Sequence, residues 1–331
     1  MAKKSADKAD YRRKVWPDHA TLPFGATPKP AITVFATFGA HRPRYRRAAF
    51  RLATEALSSA WFDKVVLQLD TGVASDEVVP DGLTIMPPDW SETDAAFIRG
   101  NPRGFGYWLW KPLLIKALLE EMEDGSLLVY ADGGCELSSR GGPRLLDYLQ
   151  SASTTGGLFF SLPFAEAEYS KQELLDHMQA TPEEVETTQV QGTILVLCNR
   201  ADTRVLVDQW IALCREDGYR LLNDDCNPGR QSSRFRSHRH DQAILSLLVK
   251  RSSFAVIPWE DNYDKPLYRI LNSWIYLFPI HARRAQRRRI LWWLSGWSSD
   301  RGCLAAAQGS FGFRLQKTVA DILSLRFLKS P

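Results

Sequence analysis

The sequence lacks paired cysteines. Five cysteines in 331 residues are an odd number, they are scattered, and none forms a C-x-x-C pair. This pattern argues against a disulfide framework and against a structural zinc site. A reducing compartment is the simpler explanation.

Long apolar runs and an excess of one charge are also missing. No window reaches the roughly 18 consecutive apolar residues of a membrane span, and the basic first 14 residues precede no apolar stretch that would make a signal peptide. With 42 Lys and Arg against 38 Asp and Glu, the net charge of +4 does not make the chain a polycation. We therefore expect a cytoplasmic protein.

Glycine and proline are not enriched, and charge is not unusually high. The chain has 21 Gly and 18 Pro, with 44% hydrophobic and 24% charged residues, values close to those of an ordinary globular protein. Collagen-like and disordered chains are thereby excluded. The length is sufficient for a large core without disulfides or metals.

Apolar runs alternate with helical patterns along most of the chain. Four prolines break a polar arm over residues 1–30. The first apolar, β-branched run, 31–38, is typical of a strand covered on both faces, as in a parallel sheet. The alternation predicts an α/β domain over 31–281, with a mostly parallel sheet flanked by helices. The predicted strands are 31–38, 64–70, 126–131, 158–162, 192–197 and 254–257, and the predicted helices are 44–60, 112–122, 143–151, 171–179, 201–214 and 241–250.

We predict that residues 282–331 form a basic, Trp-rich and helical C-terminal extension. One interpretation is an interfacial helix that meets anionic lipid headgroups. The other is a helix that packs its tryptophans onto the domain, with solvated or paired arginines. Nucleic-acid binding is disfavoured because no recognition motif accompanies the basic residues. The patch consists of Arg283, Arg284, Arg287, Arg288, Arg289, Trp292 and Trp293.

Asp132 stands at the predicted carboxyl end of a buried strand, 127–131. In open α/β sheets, ligands bind beyond the carboxyl ends of the strands. Gly133 and Gly134 follow, and their missing side chains would let a ligand approach the backbone. The alternative is a tight turn that starts at Asp132 and uses the glycines at positive φ.

A second polar cluster precedes the predicted helix 241–250. Ser237 or Asp241 can cap this helix, and a cationic helix start carrying His238, Arg239 and His240 would suit an anionic ligand. The alternative is a capped surface helix with solvated charges. Zinc ligation by the two histidines is disfavoured, because their i,i+2 spacing suits one helix face poorly.

The order of these features resembles glycosyltransferases of the GT-A type, and more narrowly bacterial glycosyltransferase-like proteins associated with surface polysaccharide and lipopolysaccharide genes. The resemblance covers about residues 31–281. Y-A-D-G-G at 130–134 occupies the place of the aspartate motif D-x-D, and Asp241-Gln242 matches the later D-Q motif. The segment from Gln191 to Trp210 also resembles the family's small-residue strand, Asn and Trp-ending helix.

This resemblance implies transfer of a sugar, as by a hexosyltransferase, from a nucleotide-diphosphate donor to a glycan or glycolipid. It implies surface polysaccharide synthesis, at the inner face of the cytoplasmic membrane. Asp241 and Gln242 would lie near the anomeric carbon, with Asp241 as general base if the enzyme inverts, although the D-Q motif favours retention. Lys111, His238 and Arg239 would neutralise phosphate. The implied donor-binding residues are Thr37, Phe38, Gly39, Lys111, Asp132, Gly133, Gly134, Gln191, Gly192, His238, Arg239 and His240.

The aspartate motif departs from the family at Gly134, where a second acidic residue is expected. A Mn²⁺ or Mg²⁺ ion would then need Asp132 with phosphate oxygens, water, or a distant ligand such as Glu136 or His281. The other possibility is a metal-free site in which arginines or Lys111 neutralise the diphosphate.

A different class of function stays open from the sequence. The chain could be a non-catalytic protein that binds polyanions or a membrane surface on a nucleotide-binding-like fold, with the two motifs as structural caps. The enzyme requires Asp132 and Asp241 in one cleft, whereas the binding protein does not. Phosphoryl transfer is disfavoured, because no G-x-x-x-x-G-K-[ST] loop is present.

Overall fold

The structure is a computed structural model that describes residues 31–40, 42–73, 78–260 and 278–282. The predicted polar arm over 1–30 lies outside the described residues. So does the predicted basic and Trp-rich patch from Arg283 to Trp293. Among the helices that are described, none is both long and apolar enough to cross a bilayer.

Ten strands and ten α-helices are described in the chain segments given above. The strands are β1 (Thr33–Gly39), β2 (Lys64–Leu69), β3 (Leu83–Met86), β4 (Leu127–Ala131), β5 (Cys135–Leu137), β6 (Gly157–Ala165), β7 (Thr188–Val190), β8 (Ile194–Cys198), β9 (Ala255–Pro258) and β10 (Ile280–Ala282). The helices are α1 (Pro43–Ser59), α2 (Glu92–Gly100), α3 (Gly104–Tyr107), α4 (Trp110–Glu121), α5 (Gly142–Thr155), α6 (Glu166–Tyr169), α7 (Gln172–His177), α8 (Pro182–Glu186), α9 (Ala201–Tyr219) and α10 (Asp241–Lys250).

The central sheet has eight strands in the order β3-β2-β1-β4-β8-β6-β7, with β9 also paired to β6. Only β7 and β8 run against the common direction of the other strands in this sheet. The predicted α/β fold with a mostly parallel sheet flanked by helices is confirmed. A separate ribbon pairs β5 with β10 in antiparallel fashion.

Both faces of the sheet are covered, which explains the uninterrupted apolar run of β1. Val34, Ala36 and Phe38 point to a core that includes α4, α9 and α10. Phe35 points to the opposite core, against Leu52 of α1 and residues of α5. A central strand with helices on both sides needs apolar side chains at every position rather than alternate ones.

Two local features position the elements that carry the site. Helix α4 begins at Trp110, two residues before the predicted Pro112, because proline is tolerated in the first turn where the N–H has no intrahelical partner. Strand β8 lies antiparallel between β4 and β6, so its beginning lies beside the end of β4. The sequence predicted a strand over 192–197 but not its direction.

Candidate functional site

The site begins where β4 ends. Asp132 follows the last residue of β4, and its backbone N–H donates to the carbonyl of Thr193 at 2.9 Å. Because β8 is antiparallel to β4, the residues that precede β8 lie at the same edge of the sheet as Asp132. This arrangement brings Gly192 and Thr193 to the carboxyl end of the parallel strands, where ligands bind in such folds.

Lys111 joins the two carboxylates that the sequence singled out. Its Nζ lies 3.3 Å from Oδ1 of Asp132 and 3.1 Å from Oδ2 of Asp241. It also donates a hydrogen bond to the carbonyl of Gly192 at 2.8 Å. The side chains of Lys111 and Asp241 are buried, whereas that of Asp132 is 30% exposed. The structure therefore brings Asp132 and Asp241 together in one site, and Asp132 is the member that faces solvent.

The electrostatics of this cluster depend on burial. Burial raises the pKa of Asp241 to about 6, with the charge of Asp132 acting in the same direction and Lys111 opposing it. Burial also disfavours the ammonium form of Lys111, but Asp132 and Asp241 outweigh that effect, so the pKa of Lys111 is raised. With two carboxylates and one ammonium ionised, the cluster carries one net negative charge. It therefore suits a group that develops positive charge better than it suits a diphosphate, contrary to the expectation that Lys111 neutralises phosphate.

Neighbouring groups hold both carboxylates in place. The hydroxyl of Tyr130 donates to Oδ1 of Asp132 at 2.6 Å, and burial together with Asp132 raises the pKa of Tyr130 well above its usual value. The indole N–H of Trp210 donates to the backbone carbonyl of Asp241 at 2.9 Å. The preceding residue, His240, has φ 52° and ψ −123°. A side-chain-bearing residue rarely adopts this conformation, and such strain concentrates at functional sites.

Gln242 and Gly192 complete the inner wall of the site. The Gly192 N–H donates to Oε1 of Gln242 at 3.1 Å. A Cβ built on Gly192 would lie 3.4 Å from the Cβ of Gln242 and 3.5 Å from Oδ2 of Asp241. The neighbouring Gln191 is buried, and its backbone N–H donates to the carbonyl of Phe160.

The alternative of a tight turn that starts at Asp132 is correct in part, since the Cys135 N–H donates to the Asp132 carbonyl at 2.8 Å. Neither Gly133 nor Gly134 has a positive φ, so that part of the alternative is wrong. A Cβ on Gly133 would lie 3.2 Å from Ala49 of α1 and from the carbonyl of Phe38. Close packing against α1 explains the glycine at position 133. The guanidinium of Arg51 donates to the carbonyl of Gly133 at 3.2 Å, which anchors this turn to α1.

The expectation that the histidines add positive charge is not met. His238 is buried, its Nε2–H donates to the carbonyl of Leu221 at 2.9 Å, and its Nδ1 accepts the Lys171 N–H. Burial, followed by the neighbouring His240, lowers the pKa of His238 well below its usual value. His240 is also buried and donates from Nδ1 to the carbonyl of Leu222 at 2.8 Å, and burial lowers its pKa to about 4. Both rings are neutral at pH 7 and fix the loop before α10.

Arg239 lies between these histidines and keeps its charge exposed to solvent. Its guanidinium carbon lies 4.5 Å from the ring centroid of Tyr169, a cation–π contact. Its backbone N–H donates to the carbonyl of the same tyrosine. Of the predicted cluster at 238–240, only this residue could offer a positive charge to a ligand.

The predicted contacts at the end of β1 are in the core. Thr37 is fully buried, and the Phe38 ring stacks on Trp110 at 3.8 Å between centroids. Gly39 packs against Ala49, which a Cβ would approach to 3.1 Å. Trp108 stacks on His240 and packs against Gly104, and Trp110 is buried, so both rings pack within the protein.

The described residues do not by themselves form a site for a divalent cation at Asp132. No group of three or more His, Cys, Asp and Glu side chains in this part of the chain could hold a metal ion. Oδ1 of Asp132 already accepts the Tyr130 hydroxyl and lies beside Lys111. His281 is buried on β10 directly opposite Glu136 of β5, in the ribbon that follows the Asp132 turn. Two carboxylates that already share an ammonium do not match the oxygen-rich shell of Mg²⁺ or Mn²⁺.

Two groups of residues were missed from the sequence. Arg42, Arg44, Arg46 and Arg47 crowd the beginning of α1, whose first turn holds no acidic residue, beyond the end of β1. Glu166 and Gln189 form a buried polar cluster behind Gln242. The arginines could have been found from the R-P-R-Y-R-R run, whereas nothing in the sequence links Glu166 with Gln189.

A groove of about 780 Å³ lies at the other end of α10 from Asp241. It is lined by residues of α9 and by the end of α10, including Val205, Leu213 and Leu248. None of its lining residues belongs to the carboxylate cluster.

No family model matches the chain, and no curated protein sequence matches it either. Solved structures are similar to it in fold. Galactosyltransferase LgtC, solved with donor and acceptor sugar analogues, is 11% identical with a TM-score of 0.43 over 87% of this chain and 95% of its own. The bifunctional glycosyltransferase WbbM is 12% identical with a TM-score of 0.40 over 72% of this chain, which spans only 41% of WbbM. A cytidylyltransferase from Thermus thermophilus is 14% identical with a TM-score of 0.36, over 69% of this chain and 88% of its own. The two glycosyltransferases and the cytidylyltransferase are thus all distantly similar to this chain, and the similarity concerns the fold alone.

Proposed function

We propose that this protein transfers a sugar from a nucleotide-diphosphate-sugar donor to a hydroxyl of a glycan or glycolipid. The observation that carries the proposal is the Lys111 ammonium held between Asp132 and Asp241 at the carboxyl ends of the parallel strands. The Y-A-D-G-G and D-Q motifs, which are far apart in the sequence, meet there. The net negative charge of the cluster is suited to a sugar that gains positive charge in the transition state.

The chemistry assigns roles to the two acidic residues. Cleavage of the bond between the anomeric carbon and the diphosphate oxygen leaves positive charge on the sugar and negative charge on the leaving group. Asp132, the partly exposed member, would contact the donor first. Asp241, ionised above about pH 6, would stabilise the oxocarbenium-like centre together with the amide oxygen of Gln242, or accept the acceptor hydroxyl proton if the configuration inverts.

The proposal includes donor binding without a metal ion held by the protein. Asp132 and Asp241 share the Lys111 ammonium, which takes the position between the carboxylates that a cation would need. Chelation of divalent ions is therefore expected to leave donor binding intact. Strong dependence on Mn²⁺ or Mg²⁺ would contradict this part of the proposal and leave the sugar-transfer part standing.

Nucleotide binding tests the proposal most directly. The full chain is screened by thermal shift against nucleotide-diphosphate sugars, each with Mn²⁺ and with EDTA. Stabilisation by at least one of them is expected, because a ligand that binds only the folded state raises the melting temperature. Hits are followed by calorimetry and by an assay for nucleotide release.

Asp132→Asn should weaken donor binding, because it removes the exposed carboxylate of the cluster. Asp124→Asn is the matched control, since Asp124 is 81% exposed and pairs with Arg204 away from the cluster. If no nucleotide or nucleotide sugar stabilises the chain, or if both variants bind equally well, the proposed function is wrong.

The basic and aromatic residues after position 282 extend the proposal to a membrane-bound acceptor. Arginines beside tryptophans favour an anionic lipid surface. This agrees with a role in surface polysaccharide synthesis at the inner face of the cytoplasmic membrane. Cosedimentation of the full chain with phosphatidylglycerol vesicles, but not with phosphatidylcholine vesicles, is the expected result.

A further inference from the structure

A line of hydrogen bonds leads from the carboxylate cluster into the core. Lys111 donates to the Gly192 carbonyl at 2.8 Å, and the N–H of the same glycine donates to Oε1 of Gln242 at 3.1 Å. Nε2 of Gln242 donates to Oε1 of Gln189 at 2.7 Å. Nε2 of Gln189 then donates to Oε1 of Glu166 at 2.8 Å. Every bond in this chain is donated in the same direction, from Lys111 towards Glu166.

The groups at either end of the two glutamines dictate that direction. The Gly192 N–H can only donate, and an ionised carboxylate can only accept. Glu166 is fully buried and its two oxygens accept from Ser170, Gln189, Ser246 and Lys250. Because the Glu166 oxygens can only accept, the Gln189 side chain must point its NH₂ group towards Glu166. The carbonyl oxygen of Gln189 must then face Gln242, which in turn presents its own carbonyl oxygen towards Gly192.

We propose that Glu166 and Gln189 are positioning residues that hold the Gln242 amide in one orientation at the sugar-binding cluster. The proposal rests on the proposed function for its kinetic part. Without this chain, the Gln242 amide could rotate and place its NH₂ group where the oxygen stands. A donor group close to the anomeric carbon would oppose the developing positive charge, whereas a carbonyl oxygen favours it.

Gln189→Met breaks the chain and leaves the Glu166–Lys250 ion pair in place. The kcat for release of nucleotide from the donor sugar identified by the panel should fall about 10- to 100-fold, with little change in the KM for that donor. Ser246→Ala is the matched control, since Ser246 donates to the other oxygen of Glu166 at 2.6 Å and does not belong to the chain. This control should lose stability and keep its kcat.

Gln189→Glu supplies a diagnostic pH profile. Its carboxyl group can donate to Glu166 only while it is protonated, and proximity to Glu166 favours protonation. Once ionised, it is repelled by the Glu166 carboxylate and should leave the position from which it holds the Gln242 amide. Its activity relative to the wild type should therefore rise as the pH falls. A ratio that is constant with pH contradicts the proposal.

Side-chain NMR separates this inference from the proposed function. In glutamine-labelled protein, the Gln242 amide protons should exchange with water much more slowly than those of the exposed Gln209, and should lose this protection in Gln189→Met but not in Ser246→Ala. Gln242→Met assigns the resonance. If the Gln242 amide of the wild type exchanges as fast as that of Gln209, or if Gln189→Met has the kcat of Ser246→Ala, the inference is overturned even where donor binding is established. Absence of donor binding with a protected amide would overturn the proposed function and the catalytic role, and leave only the orientation.

Discussion

Lys111 and Lys171 are both almost completely buried, yet the protein treats their charges in opposite ways. Lys111 lies against Asp132 and Asp241, whose charges outweigh the cost of burial and raise its pKa. Lys171 has no carboxylate as a hydrogen-bond partner among its described contacts. Its Nζ donates to backbone carbonyls of the loop after α9, including those of Asn223 at 2.8 Å and Asp225 at 3.0 Å, and burial lowers its pKa to about 8.

The comparison distinguishes two uses of a buried lysine. Lys111 belongs to a cluster of charged groups, whereas Lys171 holds a loop in place. Peptide carbonyls bind an ammonium but carry no net charge, so they offset only part of its desolvation. The loop that Lys171 holds supplies the carbonyls of Leu221 and Leu222 to His238 and His240. Lys171 thus stabilises the loop that positions the start of α10, whereas Lys111 acts where charge changes during the proposed reaction.

The largest effect is expected for Asp241→Asn. The variant removes the buried carboxylate, so turnover of the donor should fall by about 10³-fold. Donor affinity should change little, because Asp132 and Lys111 remain. Asp208→Asn, an exposed aspartate paired with Lys116, is the control in the same nucleotide-release and calorimetry assays. A variant that retains half of the wild-type turnover would remove Asp241 from the mechanism.

Lys111→Met should reduce turnover at pH 7 by about 10- to 100-fold and change the pH profile. In the wild type, turnover should rise with pH through about 6, where Asp241 loses its proton. Since the ammonium favours the ionised form of Asp241, its removal raises the pKa of that carboxyl and moves the acidic limb to higher pH. Measured profiles of kcat/KM over pH 5–9 check the shift, and a limb that stays in place contradicts the assigned coupling.

Tyr130→Phe tests the support of Asp132 with a smaller change. It removes the 2.6 Å hydrogen bond to Oδ1 and leaves the buried ring in place. A net hydrogen-bond contribution of about 1 kcal/mol predicts an increase of about fivefold in the KM for the donor. Initial-rate kinetics should show the same kcat for the wild type and Tyr130→Phe. A variant with a reduced kcat and an unchanged KM would contradict the assigned role of Tyr130.

Lys171→Met should affect stability rather than chemistry. The pKa of Lys171 is about 8 in the folded protein and about 10.4 in an unfolded chain. Between these values the unfolded state binds more protons, so the free energy of unfolding should rise with pH from 8 to 10. This rise, on the order of 1 kcal/mol after solvent screening, should be absent in the variant, while the acidic limb of activity stays near pH 6. Urea unfolding of both proteins at several pH values measures it.

Much of the fold could be predicted because its strands and helices have strong local signals. The strands 64–69 and 127–131 and the helix 241–250 lie within a residue of their predicted ends. The short strands β3, β5, β7 and β10 were missed, because three or four residues carry little periodicity. The equally short β9 was found from its apolar run at 254–257. The direction of β8 was also missed, since an apolar run does not reveal which way its strand runs.

The candidate site likewise contains residues that the sequence identified and residues whose role it did not reveal. Asp132 was recognisable because it follows a buried strand, and Asp241-Gln242 because it begins a helix with an apolar stripe. The expectation of positive charge at His238 and His240 was wrong, since burial, which the sequence does not show, lowers the pKa of both rings and keeps them neutral. Lys111 was expected at phosphate, although its partners in the structure are carboxylates.

The sequence by itself determined the α/β alternation, the covered central strands and the residues that stand at the ends of these elements, because each depends on neighbours within a few positions. Tertiary structure decided which of those residues meet and in which charge state. Lys111, Asp132, Gly192 and Asp241 come from four separate segments, and their interaction energies depend on distance and burial, which exist only once the sheet and its helices have packed.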